Sequence, residues 1–161
     1  MACEYLANAL QAVALNSPII FNDSIPCRRG LIYHEDGTSA FQLRGVSNRL
    51  NAGCPCCNDT VDYQVTFNGN IAVPTGVTVG PIAVAITVGG EVIETSRAIF
   101  TPAAVNEYGN VTCTKIVKVP RGCCQTIAIE AVNGNVNLPA AVPAPTINVV
   151  NANLTITPVN N

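Results

Sequence analysis

The sequence predicts an all-β domain, and three features of the 161-residue chain carry that prediction. Its apolar residues are largely Val, Ile and Ala, and β-branched side chains favour the pleated surface of a sheet. Stretches rich in Asn, Gly and Pro recur about every ten residues, the spacing expected of a sandwich or barrel. No apolar run approaches about 18 residues, so the hydrophobicity is spread over short strands rather than collected in a membrane helix.

In the N-terminal quarter of the sequence, a segment that fits two conformations is followed by residues with the pattern of strands. Residues 1–10 fit either an N-terminal arm or a short helix, the helix being suggested by Leu6 and Leu10, which are four residues apart. Residues 11–21 alternate like a strand, and a kink or bulge is expected at Pro18 because proline cannot donate to a sheet ladder. A hairpin is expected around Asp36 and Gly37, since Asp-Gly is a strong hairpin-turn signal.

The middle of the chain gives the clearest strand pattern. Residues 46–59 lack periodicity and predict a loop, whereas 61–73 alternate cleanly between apolar and polar side chains. Residues 81–88 form a nearly continuous apolar run, which predicts a strand buried on both faces. Gly89 and Gly90 predict a tight turn into one further strand.

The last third predicts three more strands, at about 110–120, 125–132 and 147–159, with a long loop at 133–146. The total of eight to ten strands favours a jelly-roll sandwich of two antiparallel sheets, occupying residues 11–161 as one domain. An immunoglobulin-like sandwich is less favoured, because the chain has no Trp and its cysteines do not fall in the middle of facing strands.

Charge and the N-terminal segment exclude several partners. The chain carries 8 basic and 10 acidic residues, for a net charge of −2, and has no basic stripe that would neutralise nucleic-acid phosphates or hold it on an anionic membrane. The opening "MACEYLANALQAVALN" has no basic region before its apolar part. We therefore expect no nucleic-acid or membrane partner, and synthesis in the cytoplasm without a signal peptide.

The residues also argue against an enzyme. His34 is the only histidine, so any Ser-His or Cys-His pair would have to use it, and its place beside a predicted turn favours a surface or packing role. Carboxylate pairs such as Glu35 and Asp36 fit solvated hairpin ends better than a glycosidase site. We expect no catalytic residue, no cofactor-binding residue and no cofactor.

Two cysteine clusters leave three alternatives open. Cys54, Cys56 and Cys57 form the first cysteine cluster, and Cys123 and Cys124 form the second. A zinc site would draw on Cys54, Cys57, Cys123 and Cys124, but adjacent cysteines make a poor zinc knuckle, so no metal is the favoured prediction. Disulfides are the second alternative, and free thiols throughout are the third. A thioredoxin-like redox role is disfavoured, because the C-x-x-C spacing lies in a loop before a strand.

The cysteines predicted to be available for disulfides share a position in loops or near the terminus; they are Cys3, Cys27, Cys54, Cys56, Cys57, Cys123 and Cys124. Cys3, near the N-terminus, is the best candidate for a link between subunits. Cys113 falls within a predicted strand and is expected to behave as a small buried hydrophobe.

Four segments, in their order, resemble the jelly rolls of the TNF/C1q superfamily. They are "QAVALNSPIIFN", the hairpin "GLIYHEDGTSAFQL", the strand "YQVTFNGNIAVP" and the closing "ANLTIT", and the likeness covers about residues 10 to 158. The resemblance implies a TNF/C1q-like fold and a homotrimer held by an aromatic and aliphatic seam.

A closer likeness lies in the run "NGNIAVPTGVTVGPIAVAITVGGEVIETSRAIFTPAAVNEYGNVTCTKIVKVPRGCC". It is similar to short proteins encoded by phages and prophages of gut Firmicutes, a type associated with virion surface components. That resemblance implies a capsid-decorating or head-fibre protein at the virion surface, forming a trimeric knob. The implied partners are other copies of the chain, the major capsid protein or another virion component, and a host-surface glycan met by loops 46–59 and 133–146.

Two alternatives remain open at the level of sequence. One is a spore or cell-surface fibre subunit that assembles with itself through disulfides, although the chain lacks the collagen-like repeats of stalked spore tips. The other is a glycan-binding module.

Overall fold

The computed structural model describes residues 2–25, 30–45, 60–137 and 141–159, and twelve strands lie within these ranges. In chain order they are β1 (Cys3–Ala7), β2 (Gln11–Ala14), β3 (Asp23–Ile25), β4 (Ile32–Tyr33), β5 (Phe41–Arg44), β6 (Thr60–Ala72), β7 (Ile82–Val88), β8 (Glu91–Val92), β9 (Ala98–Phe100), β10 (Gly109–Pro120), β11 (Cys124–Asn133) and β12 (Thr146–Pro158). One 3-10 turn, Glu94–Ser96, separates β8 from β9.

The strands form two antiparallel sheets, as the sequence predicts, but each sheet has six strands, which is more in total than the eight to ten expected. The first sheet has the order β10-β6-β12-β1-β3, with β2 also paired to β12. The second has the order β4-β5-β11-β7-β8, with β9 also paired to β7. Among the described segments no helix has the length and hydropathy needed to span a bilayer.

The core lies between the sheets and follows the predicted alternation. In β6, Val61, Tyr63, Val65 and Phe67 are buried, while the side chains between them lie on the opposite face of the sheet. The strand predicted to be buried on both faces is β7, in which six consecutive residues are buried. These alternating apolar faces hold the two sheets together, because each buried aliphatic or aromatic side chain contributes about 1.5–3 kcal/mol.

The N-terminal segment belongs to the first sheet. β1 lies between β12 and β3, with Tyr5 opposite Leu154 and Ser24, and it buries alternate side chains. The option of a short helix for residues 1–10 is therefore wrong. The spacing of Leu6 and Leu10 that favoured a helix creates no buried helical face, because Leu10 is 59% exposed.

The chain passes from one sheet to the other between β2 and Phe21. Asn16 has a positive φ of 61°, and its N–H donates to Ala131 O of β11 at 2.8 Å. Ile19 N–H then donates to Ile129 O, so this stretch runs beside the second sheet. The predicted interruption exists, but its sharp turn lies at Asn16, and Pro18 forms a bridge with Glu130.

The segment after Gly89 is not the single strand that the sequence predicts. The hairpin turn forms, but β8 ends at Val92 and the 3-10 turn intervenes before β9. The Ser96 hydroxyl accepts from Ile86 N at 2.9 Å and donates to Ile93 O at 2.7 Å. The buried Ser96 hydroxyl therefore hydrogen-bonds to main-chain N–H and C=O groups that would pair with each other in a continuous strand.

Candidate functional site

His34 lies in an aromatic cluster. Its ring stacks on Phe41, with centroids 4.0 Å apart and an interplanar angle of 9°, and it meets Tyr5 edge-on at 5.0 Å. Nδ1 lies 3.0 Å from Ala40 O and Nε2 lies 3.4 Å from Phe21 O. Because both nitrogens face main-chain carbonyls, the ring is engaged in packing and offers no free nitrogen to a nucleophile.

Two tyrosines near this cluster are held in their neutral form. Burial, with a smaller contribution from Asp36, raises the pKa of Tyr5 to about 12. Burial also raises the pKa of Tyr63, whose hydroxyl donates to Arg44 O at 2.5 Å. Both groups thus serve as packing and hydrogen-bonding side chains at neutral pH rather than as acid–base catalysts.

The four cysteines within the described segments fall into two environments. Cys113 is a buried, free thiol in β10 with its Sγ 3.7 Å from Val84 O, in agreement with the expected small hydrophobe. Burial raises the pKa of the Cys113 thiol from 9.0 to about 11. Cys123 and Cys124 are free and exposed. Cys3 is 3% exposed and is not a free thiol, and its partner lies outside the described residues.

The buried position of Cys3 does not fit the predicted link between subunits. Its side chain lies on the core face of β1, with β12 on one side and β3 on the other. A sulfur atom buried in that place is not accessible to a second chain. The other predicted disulfide cysteines, Cys27, Cys54, Cys56 and Cys57, lie outside the described residues.

The second cysteine cluster lies at the end of the sandwich where segment 46–59 begins and ends. Gly45 N–H donates to Cys123 O at 2.8 Å, and Gly122 N–H donates to Gly45 O at 2.9 Å. Thr60, at the other end of the segment, is paired with Pro120. Gly45 and Thr60, which flank segment 46–59, therefore lie beside residues 120–123, next to the second cysteine cluster.

A metal site gains no support from the described part of the chain. No group of three or more His, Cys, Asp and Glu side chains is placed there to hold an ion. The zinc alternative through Cys54, Cys57, Cys123 and Cys124 stays a prediction, because two of its four cysteines lie outside the described segments.

The outward side of the first sheet is a polar face that sequence reasoning did not single out. We define this polar face by twelve of the outward residues of four adjacent strands, namely Gln64, Thr66, Asn68, Asn70, Asn110, Thr112, Thr114, Ile116, Asn153, Thr155, Thr157 and Glu4. Three further outward residues adjoin this set in the strand register: Leu6 opposite Asn153, and Asp62 opposite Lys118. Strand register sets Thr66 between Thr114 and Thr155, and Asn68 between Thr112 and Asn153. The alternation of Thr and Asn was visible in the sequence, but the adjacency of the strands was not.

Side chains of the polar face hydrogen-bond to one another. Asn68 and Asn110 exchange amide hydrogen bonds at 3.1 Å, and the Asn68 amide also donates to Thr112 Oγ1 at 2.8 Å. Thr114 donates to Thr66 at 3.2 Å, and the Asn153 amide donates to the carboxylate of Glu4. The polar atoms are therefore largely satisfied within the chain, which lowers the cost of removing them from water.

The polar face combines low charge with scattered aliphatic residues. Glu4 is the only acidic or basic residue in the set, and the next outward pair toward the cysteine end consists of the acidic Asp62 and the basic Lys118. Ile116 in β10 is 45% exposed, and Ile25, opposite Glu4 in β3, is 54% exposed. The resemblance implied an aromatic and aliphatic seam, and that seam stays a prediction: the polar face contains no aromatic residue, Phe21, Phe41, Phe67 and Tyr63 are buried in the core, and Tyr33 and Tyr108 are exposed outside the polar face.

Comparison with known proteins identifies the fold of the chain but does not place it in a protein family. No protein-family profile and no curated protein matches the chain. Among the solved structures that match the chain, two are matched over nearly their whole length. The globular domain of a zebrafish complement 1qA protein has a TM-score of 0.59 at 13% identity, covering 99% of this chain and 98% of that chain. The Eiger TNF of S. frugiperda has a TM-score of 0.62 at 8% identity, covering 100% and 93%.

A third structure, the C-terminal domain of the sugar-binding protein EclA, covers 80% of this chain and 86% of its own at 17% identity. Its TM-score of 0.35 is too low to support an inference. At identities of 13% and 8%, the first two matches bear on the fold alone. The chain has a jelly-roll fold of the TNF and C1q type.

Proposed function

We propose that the chain is a non-enzymatic structural protein that forms a homotrimeric knob at a virion surface, as a capsid-decorating or head-fibre component. The observation that carries the self-association is the polar face, a four-strand surface in which Glu4 is the only acidic or basic residue, with Asp62 and Lys118 opposite each other at its border. The virion role rests on the likeness of residues 68–124 to phage-encoded proteins, and the proposed self-association does not depend on it.

The polar face suits contact with another copy of the chain for two reasons. Charged residues are depleted from the cores of stable interfaces, and within the polar face only Glu4 is acidic or basic, and it already accepts from Asn153. Asp62 and Lys118, of opposite charge, lie opposite each other at the border, where the polar rim of an interface is expected. Its amides and hydroxyls are paired with one another, so burying them leaves few groups without a partner. Jelly rolls of the TNF and C1q type commonly form homotrimers, which supports three as the number of copies.

The virion role is tested on particles rather than on the isolated chain. Phage particles purified from a culture that carries the gene are analysed by mass spectrometry, alongside particles from a strain in which the gene is deleted. We expect peptides of this chain in the first sample at a fixed ratio to the major capsid protein. Their absence from purified particles would remove the virion role while leaving the trimer untouched.

A disulfide-linked fibre subunit is the second candidate, favoured by the exposed thiols of Cys123 and Cys124. Two accessible thiols on one turn can reach a neighbouring chain without any change in the core. Electrophoresis with and without reductant separates the two functions. A ladder of multimers that collapses on reduction would support the fibre, and identical monomer bands would eliminate it.

A glycan-binding role is favoured by one shallow depression of about 320 Å³ on the outer side of the second sheet. Tyr33, which is 56% exposed, lies there with Glu35 and Gln42. An exposed ring beside a carboxylate and an amide is a combination that binds sugar hydroxyls. A glycan array probed with wild-type protein and with Tyr33→Ala tests it, and an array without hits would remove this candidate.

A further inference from the structure

A cavity of about 630 Å³ lies at the end of the sandwich opposite the second cysteine cluster. β6 and β11 both run from the cysteine end toward it, and its walls come from the connections that follow these strands, residues 76–81 and 141–145, together with Asn135. The volume falls within the roughly 300–1,000 Å³ typical of small-molecule sites.

The chemistry of the walls limits what the cavity can accept. Its described lining consists of Gly, Val, Thr, Pro and Ala residues and the single amide of Asn135. None of these side chains is ionised, so a charged ligand would lose its hydration without gaining a counter-charge. None is aromatic, so the stacking platform that sugars and nucleobases use is missing from these walls.

Asn135 supplies a hydrogen-bond acceptor without a partner. The residue is 5% exposed, and its Oδ1 is buried and accepts no hydrogen bond within the described structure. The main chain around it is fixed, since Asn135 N–H donates to Asn133 Oδ1 at 2.8 Å. Buried polar atoms are nearly always paired, so an orphaned carbonyl at a cavity wall indicates a donor that comes from outside the chain.

We propose that this cavity is a binding site for a neutral, aliphatic ligand that donates one N–H or O–H to Asn135 Oδ1. Aliphatic walls from Val77, Val79 and Pro143 cover the body of such a ligand, while the amide selects for its donor. The site is independent of the polar face and of the trimer, so it stands or falls separately from the proposed function.

A matched pair of small probes tests the donor requirement directly. Isobutyramide carries N–H donors, and N,N-dimethylisobutyramide has the same carbonyl but no donor. Both are titrated into the full ¹⁵N-labelled chain and followed by heteronuclear NMR. We expect saturable shifts at Asn135, Val77 and Gly80 with isobutyramide, and binding at least about tenfold weaker for the dimethyl compound, since it leaves the acceptor unpaired. Equal affinity for the two probes, or no shift with either, would overturn the proposal.

Three variants locate the effect. Asn135→Leu removes the acceptor and should abolish the preference for isobutyramide. Gly80→Leu adds bulk at the cavity wall, where a Cβ meets nothing within 4 Å and φ is not left-handed, so it should fold and weaken both probes about tenfold or more. Ala104→Leu, an exposed position outside the cavity, is the matched control and should bind like the wild type. If Asn135→Leu fails to fold, Gly80→Leu decides, and unchanged affinity in that variant contradicts the site.

Discussion

Cys113 shows how burial alone separates thiols that are alike in sequence. It lies on the core face of β10 with a raised pKa of about 11. Cys123, in the turn that follows the strand, and Cys124, the first residue of β11, are exposed. The thiolate is the reactive form, and a buried thiol of high pKa has almost none at neutral pH. The reactivity of these three residues should therefore differ sharply in the native protein.

The first prediction is selective labelling. Iodoacetamide at pH 8 should modify Cys123 and Cys124 in the native, unreduced chain and leave Cys113 unmodified, as read by peptide mass spectrometry. In denaturant all three should react. Native labelling of Cys113 at a rate similar to that of Cys123 would show that the strand does not hold it in the core.

The second prediction concerns stability in alkali. Because folding raises the pKa of Cys113 from 9.0 to about 11, its contribution is fully present below pH 9 and is lost as pH rises toward 11. Two pKa units correspond to about 2–3 kcal/mol. Urea unfolding at pH 8 and pH 11 should show wild type losing about that much more stability than Cys113→Ala, which lacks the titrating thiol. Equal losses in the two proteins would refute this assignment.

At the scale of elements, the alternation of side chains predicted which residues point to the core. Val61, Tyr63 and Phe67 are buried as expected, because a strand places alternate residues on opposite faces. The break between β8 and β9 was not predictable, since it depends on the Ser96 hydroxyl meeting Ile86, ten residues earlier. The sequence left residues 1–10 open between an arm and a short helix, because residues four apart such as Leu6 and Leu10 lie on one face of either a helix or a strand.

The third prediction tests the crossing between the sheets. Asn16 adopts a left-handed φ of 61°, a conformation that asparagine tolerates better than alanine does. Asn16→Ala should lower the free energy of unfolding by about 1 kcal/mol, while Asn16→Gly, which accepts the same φ, should change it by no more than about 0.5 kcal/mol. Chemical denaturation of both variants checks the difference. Equal destabilisation would mean that the side chain, not the backbone, matters there.

At the scale of the whole molecule, the sequence predicted the two-sheet jelly roll but not its candidate interface. The pairing of β6 with β10 and β12 joins residues that are at least 38 positions apart, as for Ile71 and Gly109, and no local pattern encodes that order. The polar face exists only once Thr66, Thr114 and Thr155 are neighbours. The hydrogen bond from Gly45 N–H to Cys123 O also joins residues far apart in the sequence, so only the folded structure reveals it.

The central claim is that three copies associate through the polar face, and sedimentation equilibrium tests it most directly. Wild-type protein with reductant present should sediment at three times the chain mass, and Thr66→Lys, which buries a charge in the interface, should sediment as a monomer. Thr126→Lys, on the outward side of the second sheet, is the matched control and should remain trimeric. A wild-type protein that is monomeric at every concentration, or a Thr66→Lys variant that stays trimeric, would contradict the account.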